Sequence, residues 1–181
     1  MEHYHDGDLS AHHRDPSHQG SIRMRRTDRE VTDPAVIRHI LETAKILHLG
    51  LFDDGYPYVV PLHYGYVLAE NRLVFYLHSA KEGHKLDLIR ENPHVCAELA
   101  CDLGLVSGGE NPCSYGAAYA SLIGRGTAEI VTDVQEKCRG LSLLMQHQTG
   151  RAFSFTGEMA AAVAVIKITL DTFTAKSRPK P

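Results

Sequence analysis

The sequence predicts a mostly β fold with short helices: six antiparallel strands closed into a small barrel. Three observations predict it. β-branched and aromatic residues fall in runs of strand length, bounded by turn signals such as Asp53-Asp54-Gly55 and Glu70-Asn71. Successive runs are joined as hairpins, which makes an antiparallel meander, and closing a meander removes its exposed edges. The chain has 181 residues, 43% hydrophobic and 23% charged, enough for one domain with its own core and no disulfide or metal staple.

The elements follow in order. Residues 1–22 carry five of the twelve histidines and no apolar periodicity, and read as a flexible tail; residues 23–181 read as the folded domain. His3, His5, His12, His13 and His18 show no fixed helical spacing, so no metal site is predicted. Thr32-Asp33-Pro34 opens a helix, with Asp33 or Thr32 as its cap and Pro34 in the first turn. Ile46 begins a short strand. Asp-Gly supplies the positive φ of a hairpin turn, and a long strand follows over residues 56–68. Pro61 lies inside it and cannot donate to a ladder, so that strand is at an edge or bulged there. The next strand covers residues 72–80, and a short helix residues 83–92, closed by Asn92-Pro93. Then come a strand at 94–100, an irregular Gly-rich stretch near 104–118 that is a candidate lid, and a strand at 119–131. Thr132 to Glu136 has capping-box spacing for a helix over 134–147. Residues 161–177 alternate as a final strand.

Composition excludes several classes. The net charge of −3 argues against a general nucleic-acid binder, which needs surplus Lys and Arg. No apolar run reaches the length of a membrane span, and the polar N-terminus has no secretory h-region, so a cytoplasmic protein without membrane contact is expected. Cys96, Cys101, Cys113 and Cys138 match no CxxC pair or zinc framework and read as reduced thiols.

Two segments carry chemistry. The first runs from Phe75 to Lys85, where a strand ends at Ser79 and a helix begins near Gly83. Free backbone N–H groups and the positive end of a helix dipole suit a phosphate there. Ser79, Lys81 and Lys85 add a hydroxyl and two cations; a plain helix start with two solvated lysines has the same pattern. The second segment, Pro57 to Tyr66, combines backbone freed by a proline with tyrosines, which serve equally for sheet packing.

Together these segments resemble the FMN-binding split barrels related to pyridoxamine 5′-phosphate oxidase, in the branch of the nitroimidazole resistance proteins. The resemblance starts at Met24-Arg25-Arg26-Thr27-Asp28-Arg29-Glu30. It continues through Gly55-x-Pro57-Tyr58-Val59-Val60-Pro61-Leu62 and His78-Ser79-Ala80-x-Glu82-Gly83-x-Lys85 to Asn92-Pro93-x-Val95 and Tyr119-x-Ser121-x-x-Gly124-x-Gly126-x-Ala128. It implies a six-stranded antiparallel split β-barrel with short flanking helices. It implies FMN, with the ring against Val59, Val60, Pro61 and Leu62 and the phosphate near His78, Ser79, Ala80 and Lys85. Tyr119 and Ser121 would line the same site, completed by the second subunit of a homodimer. The implied activity is an FMN-dependent, nitroreductase-like oxidation–reduction of a small-molecule substrate, a nitro compound among the candidates, with His63 as proton donor. The chain has no tryptophan, and its tail TFTAKSRPKP differs from the substrate-binding end of true pyridoxamine phosphate oxidases, so the vitamin B6 reaction is not implied. A flavin carrier without turnover, or a haem-binding relative with His63 or His84 as ligand, are the rival readings.

Overall fold

The computed structural model describes residues 24–69 and 72–180. The tail at 1–22 and the turn at Glu70-Asn71 lie outside the described residues. A 3₁₀ turn at Thr27–Arg29 leads into β1 (Glu30–Val31), α1 (Pro34–Thr43), β2 (Ile46–Asp53), β3 (Tyr56–Ala69), β4 (Arg72–Ser79) and α2 (His84–Glu91). Then come β5 (His94–Val106), a 3₁₀ turn at Pro112–Ser114, β6 (Gly116–Ile130), α3 (Val134–Thr149), α4 (Gly157–Ala161) and β7 (Ala164–Arg178).

All pairings are antiparallel, and the neighbour order β7-β4-β3-β2-β5-β6 closes on itself because β6 also pairs with β7. The six expected strands therefore form the ring. A seventh, the two-residue β1, is an addition: it takes the side of β7 at Ala175 and Lys176, beyond the Leu73↔Leu170 end of the β4 ladder. Two-residue strands have no periodicity to read. The irregular stretch expected around 104–118 is present at residues 107–115, and the strands on either side run further into it than expected. β5 and β6 stay paired as far as Val106↔Gly116, with a register shift between Asp102 and Leu105 and Gly104 at φ 92°. Glycines at 104, 108 and 109 hid those strand ends.

Local chemistry accounts for the boundaries. Asp33 accepts from the Ala35 N–H and Asp133 from the Glu136 N–H, each capping its helix. Asp54 and Gly55 have φ of 42° and 84°, the two positive values of a type I′ hairpin turn. Leu47, Leu49, Phe75, Leu77, Leu99, Leu122 and Ile166 fill the barrel. A second apolar cluster, Val74, Tyr76, Val131, Leu141 and Val165, lies where α3 covers the outside of β4 and β7. α3 also crosses β3 at Gly65, where a Cβ would collide with the helix backbone at Leu143 and Leu144.

Candidate functional site

Between β3 and β4 the ring stands open over part of its length. β3 pairs with β2 along residues 56–63, but its pairing with β4 begins only at Tyr64↔Leu77. Had the ladder continued, His63 and Leu62 would face His78 and Ser79. Instead β4 stays with β7 through His78↔Val165 and Ser79↔Ala164. The chain then turns at Ala80–Gly83 into α2. At the far end the two lips meet again: the Tyr58 and His84 rings stand edge-on, 5.3 Å between centroids, and His84 Nε2 lies 2.8 Å from Asp53 Oδ2. The result is a slot pinned at both ends, with Val59, Val60, Pro61 and Leu62 on one lip and residues 78–85 on the other. Pro61 has β2 on one side only, the edge position its missing N–H requires.

The second lip is built for negative charge. α2 has no side-chain cap, and its N-cap residue Gly83 has φ 141° with open space where a Cβ would stand. The Leu86 N–H donates to the Gly83 carbonyl at 2.8 Å, and no side chain caps the N–H groups of His84 and Lys85 at the positive end of the dipole. Neither Lys81 nor half-buried Lys85 forms an ion pair among the described residues. Ser79 is buried, and its Oγ donates to the Ala80 carbonyl at 2.9 Å, so its lone pairs are free while its proton is engaged. His78 is exposed on the opposite face of β4 from Ser79, as strand alternation dictates. Asp53, bonded to the His84 ring, holds its imidazole above its usual pKa.

His63 is exposed, and its Nδ1 lies 3.2 Å from the Lys45 carbonyl. A carbonyl only accepts, so Nδ1 carries the proton and Nε2 keeps a lone pair. Tyr119 and Ser121 are not beside the slot within one chain. They lie on β6, separated from β3 by β2 and β5, about 14 Å away at ordinary strand spacing. Tyr119 is held from the N-terminal arm: Arg29 Nη1 donates to its hydroxyl at 3.2 Å and the guanidinium sits 5.9 Å from the ring centroid.

The sequence profile of the family described as pyridoxamine 5′-phosphate oxidase matches residues 33–177. The chain belongs to this family. Among solved structures, a candidate 5-nitroimidazole antibiotic resistance protein of Bacteroides thetaiotaomicron is 32% identical, over 81% of this chain and 85% of that one, with a TM-score of 0.70. A flavocytochrome of Azotobacter vinelandii shares 20% identity over 87% of this chain and 73% of its own, at a TM-score of 0.69. A FAD- and heme-binding protein of Mycobacterium smegmatis shares 20% over 84% and 75%, at 0.68. The last two show likeness of fold. No curated protein matches.

The slot combines open backbone along β3, which suits a flat ring, with an uncapped helix start flanked by Gly83, Lys81 and Lys85, which suits a phosphate. No cluster of histidine, cysteine or carboxylate suited to a metal occurs among the described residues, and no helix there is long and apolar enough to cross a membrane. The clip from Asp53 to His84 has no signal in the sequence, because it joins residues 31 apart. The link from Arg29 to Tyr119 joins two motifs of the family resemblance, but only the β1–β7 pairing brings the arm to β6.

Proposed function

We propose that this protein is a flavoprotein holding FMN in the slot between β3 and the β4–α2 junction, at the interface of a homodimer. The observation that carries the reading is the slot itself, a sheet edge left open beside an uncapped helix start with free lysines. Lys85, Lys81 and the first-turn N–H groups of α2 hold the phosphate; the β3 edge from Val59 to Leu62 orients the ring. Bound FMN supplies reversible electron exchange. His63 presents Nε2 as a proton acceptor when neutral and a donor when protonated. The substrate is a small organic molecule. A nitro compound is the leading class, supported by the 32% identity to the candidate 5-nitroimidazole resistance protein.

The dimer follows from what the slot lacks. A six-stranded barrel is filled by its own side chains, so a ligand of this size lies outside it, open to water on one face. The outer face of β2, β3 and β6 exposes Ile46, Val59 and Ile123. A two-fold copy laid on this face buries them, covers the slot and brings the partner's Tyr119 and Ser121 to it. The haem reading keeps one support, the free Nε2 of His63.

The test is to record the visible spectrum of purified protein, then denature it and chromatograph the released cofactor. FMN supports the reading; FAD alone, a haem spectrum, or no flavin after reconstitution overturns it. Lys85→Ala should weaken FMN binding by about 1.5–3 kcal/mol, the range for hydrogen bonds to charged groups. Sedimentation should show a dimer that FMN stabilises by mass action. Turnover of reduced nicotinamide with a nitro acceptor separates an enzyme from a carrier.

A further inference from the structure

A second concavity lies between α1, β3 and α3, away from both lips of the slot. It is an open groove of about 480 Å³, room for a small molecule, with Arg38, Glu42 and Lys45 exposed along it. α1 contributes Arg38 and Glu42, one turn apart; β3 contributes Tyr66 and Leu68; α3 contributes Leu143 and His147.

Three polar side chains of this cleft, Arg38, Glu42 and Tyr66, have no side-chain partner among the described residues, whereas Lys45, Gln146 and His147 each bond a backbone carbonyl. Arg38 and Glu42 form neither an ion pair nor a side-chain hydrogen bond among the described residues, although their spacing allows one. Tyr66 is half-buried and its hydroxyl has no partner there. Burial and the Glu42 carboxylate raise its pKa, so it remains a protonated donor. His147 Nε2 lies 3.0 Å from the Ala44 carbonyl and must carry the proton. Its Nδ1 keeps a lone pair, and burial lowers its pKa, which leaves the ring neutral at neutral pH. Lys45 adds positive charge at the rim, its Nζ 2.8 Å from the His147 carbonyl.

Both signs of charge therefore face one small cavity with an apolar strip, Leu68 and Leu143, beside them. A simple anion would lie against the Glu42 carboxylate, and a simple cation against Arg38 and Lys45; each meets like charge. A molecule with both charges meets neither. We propose that this cleft binds a small zwitterion of the amino-acid type, with its carboxylate on Arg38 and Tyr66, its ammonium on Glu42 and an apolar side chain on Leu68 and Leu143. The back wall is shared with the slot: the adjacent carbonyls of Ala44 and Lys45 hold His147 and His63 respectively.

The test is calorimetric titration of the full chain with L-leucine, L-phenylalanine and two leucine isosteres that each lack one charge, leucinamide and 4-methylpentanoate. At least one amino acid should bind saturably. Each isostere should bind about tenfold or more weakly than leucine, the loss of one charge-assisted bond. Arg38→Gln should abolish the preference for leucine over leucinamide, and Glu42→Gln the preference over 4-methylpentanoate. Both positions are exposed on α1, so the variants should keep the wild-type melting temperature. No heat and no shift of the Tyr66 or His147 resonances at about 10 mM of either amino acid, weaker than any specific affinity, overturns the proposal. Isosteres that bind as well as leucine overturn it too. The outcome does not depend on flavin content.

Discussion

Replacing Gly65 by alanine tests how the fold is held around the slot. An ideal Cβ at Gly65 would stand 2.6 Å from the Leu144 Cα and closer still to the peptide joining Leu143 and Leu144. Carbon atoms in contact need about 3.5–4.0 Å, so α3 must withdraw by about 1 Å or β3 must bend. The obstructing atoms are helix backbone and cannot rotate away. Withdrawal loosens Leu141 and Leu144, now 6% and 5% exposed, and strains the bond from Gln148 Nε2 to the Tyr64 carbonyl, 2.9 Å long. Overpacking costs about 1–3 kcal/mol, and this site belongs at the upper end. Gly50 is the control: a Cβ there would lie 3.5 Å from the Cys96 carbonyl oxygen, an ordinary contact. Gly50→Ala should change stability by no more than ~0.5 kcal/mol. Urea unfolding with unchanged slope measures both. A Gly65→Ala midpoint equal to wild type, or an equal loss in Gly50→Ala, refutes the packing argument.

Three further perturbations follow. Tyr64 is fully buried and its hydroxyl bridges the carbonyls of Leu41 and Ala44 at 2.8 and 2.9 Å; Tyr64→Phe leaves the Leu41 carbonyl without that donor and should cost about 1–3 kcal/mol in the same assay. Asp53 raises the His84 pKa, so the stability this pair contributes is fully present below about pH 6.5, the usual histidine value, and is lost as pH rises through the folded-state pKa. The wild type should therefore lose more stability than His84→Gln between about pH 6 and about pH 8.5, and equal losses would show that the clip is idle. Substituting valine for both Pro57 and Pro61 restores two donors to the open edge of β3 and should promote edge-to-edge association by sedimentation; an unchanged sedimentation profile means that the prolines do not guard that edge.

The fold was legible because most of its signals are local. Asp54-Gly55, the caps at Asp33 and Asp133, and the alternating runs of β2, β4 and β7 all act within a few residues. β1 was invisible, since Glu30 and Val31 become a strand only by meeting Lys176 and Ala175. α4 was missed for a related reason: five residues with one Thr156 cap leave no periodic stripe. The slot was half legible. Pro61 announced an edge, and Ser79 to Lys85 announced a strand-to-helix junction. That the two face each other depends on where the β3–β4 ladder stops, which no residue in either strand states. Tyr119 and Ser121 share the outer face with His63 but stand three strands away within the chain; only the family resemblance, and no local pattern, linked them to the slot.

The prolines explain why the opening in the ring persists. In a strand the N–H and C=O of one residue point to the same edge, and alternate residues share an edge. A proline leaves its missing N–H on the unpaired side. That places the backbone of residues 57, 59, 61 and 63 toward the open edge, with donors remaining only at Val59 and His63. Such an edge is a poor template for another strand, which needs a donor at every second residue, yet it keeps its carbonyls and two N–H groups for a ligand with a few polar atoms. The lip opposite is also unsuited to strand pairing, because Gly83 and α2 turn the chain away after Ser79. The same features that stop the barrel from zipping shut thus leave polar groups on both lips. A ring system bearing a phosphate can bridge the lips where a strand cannot, which is why the slot and the uncapped helix are better read as one site than as two defects.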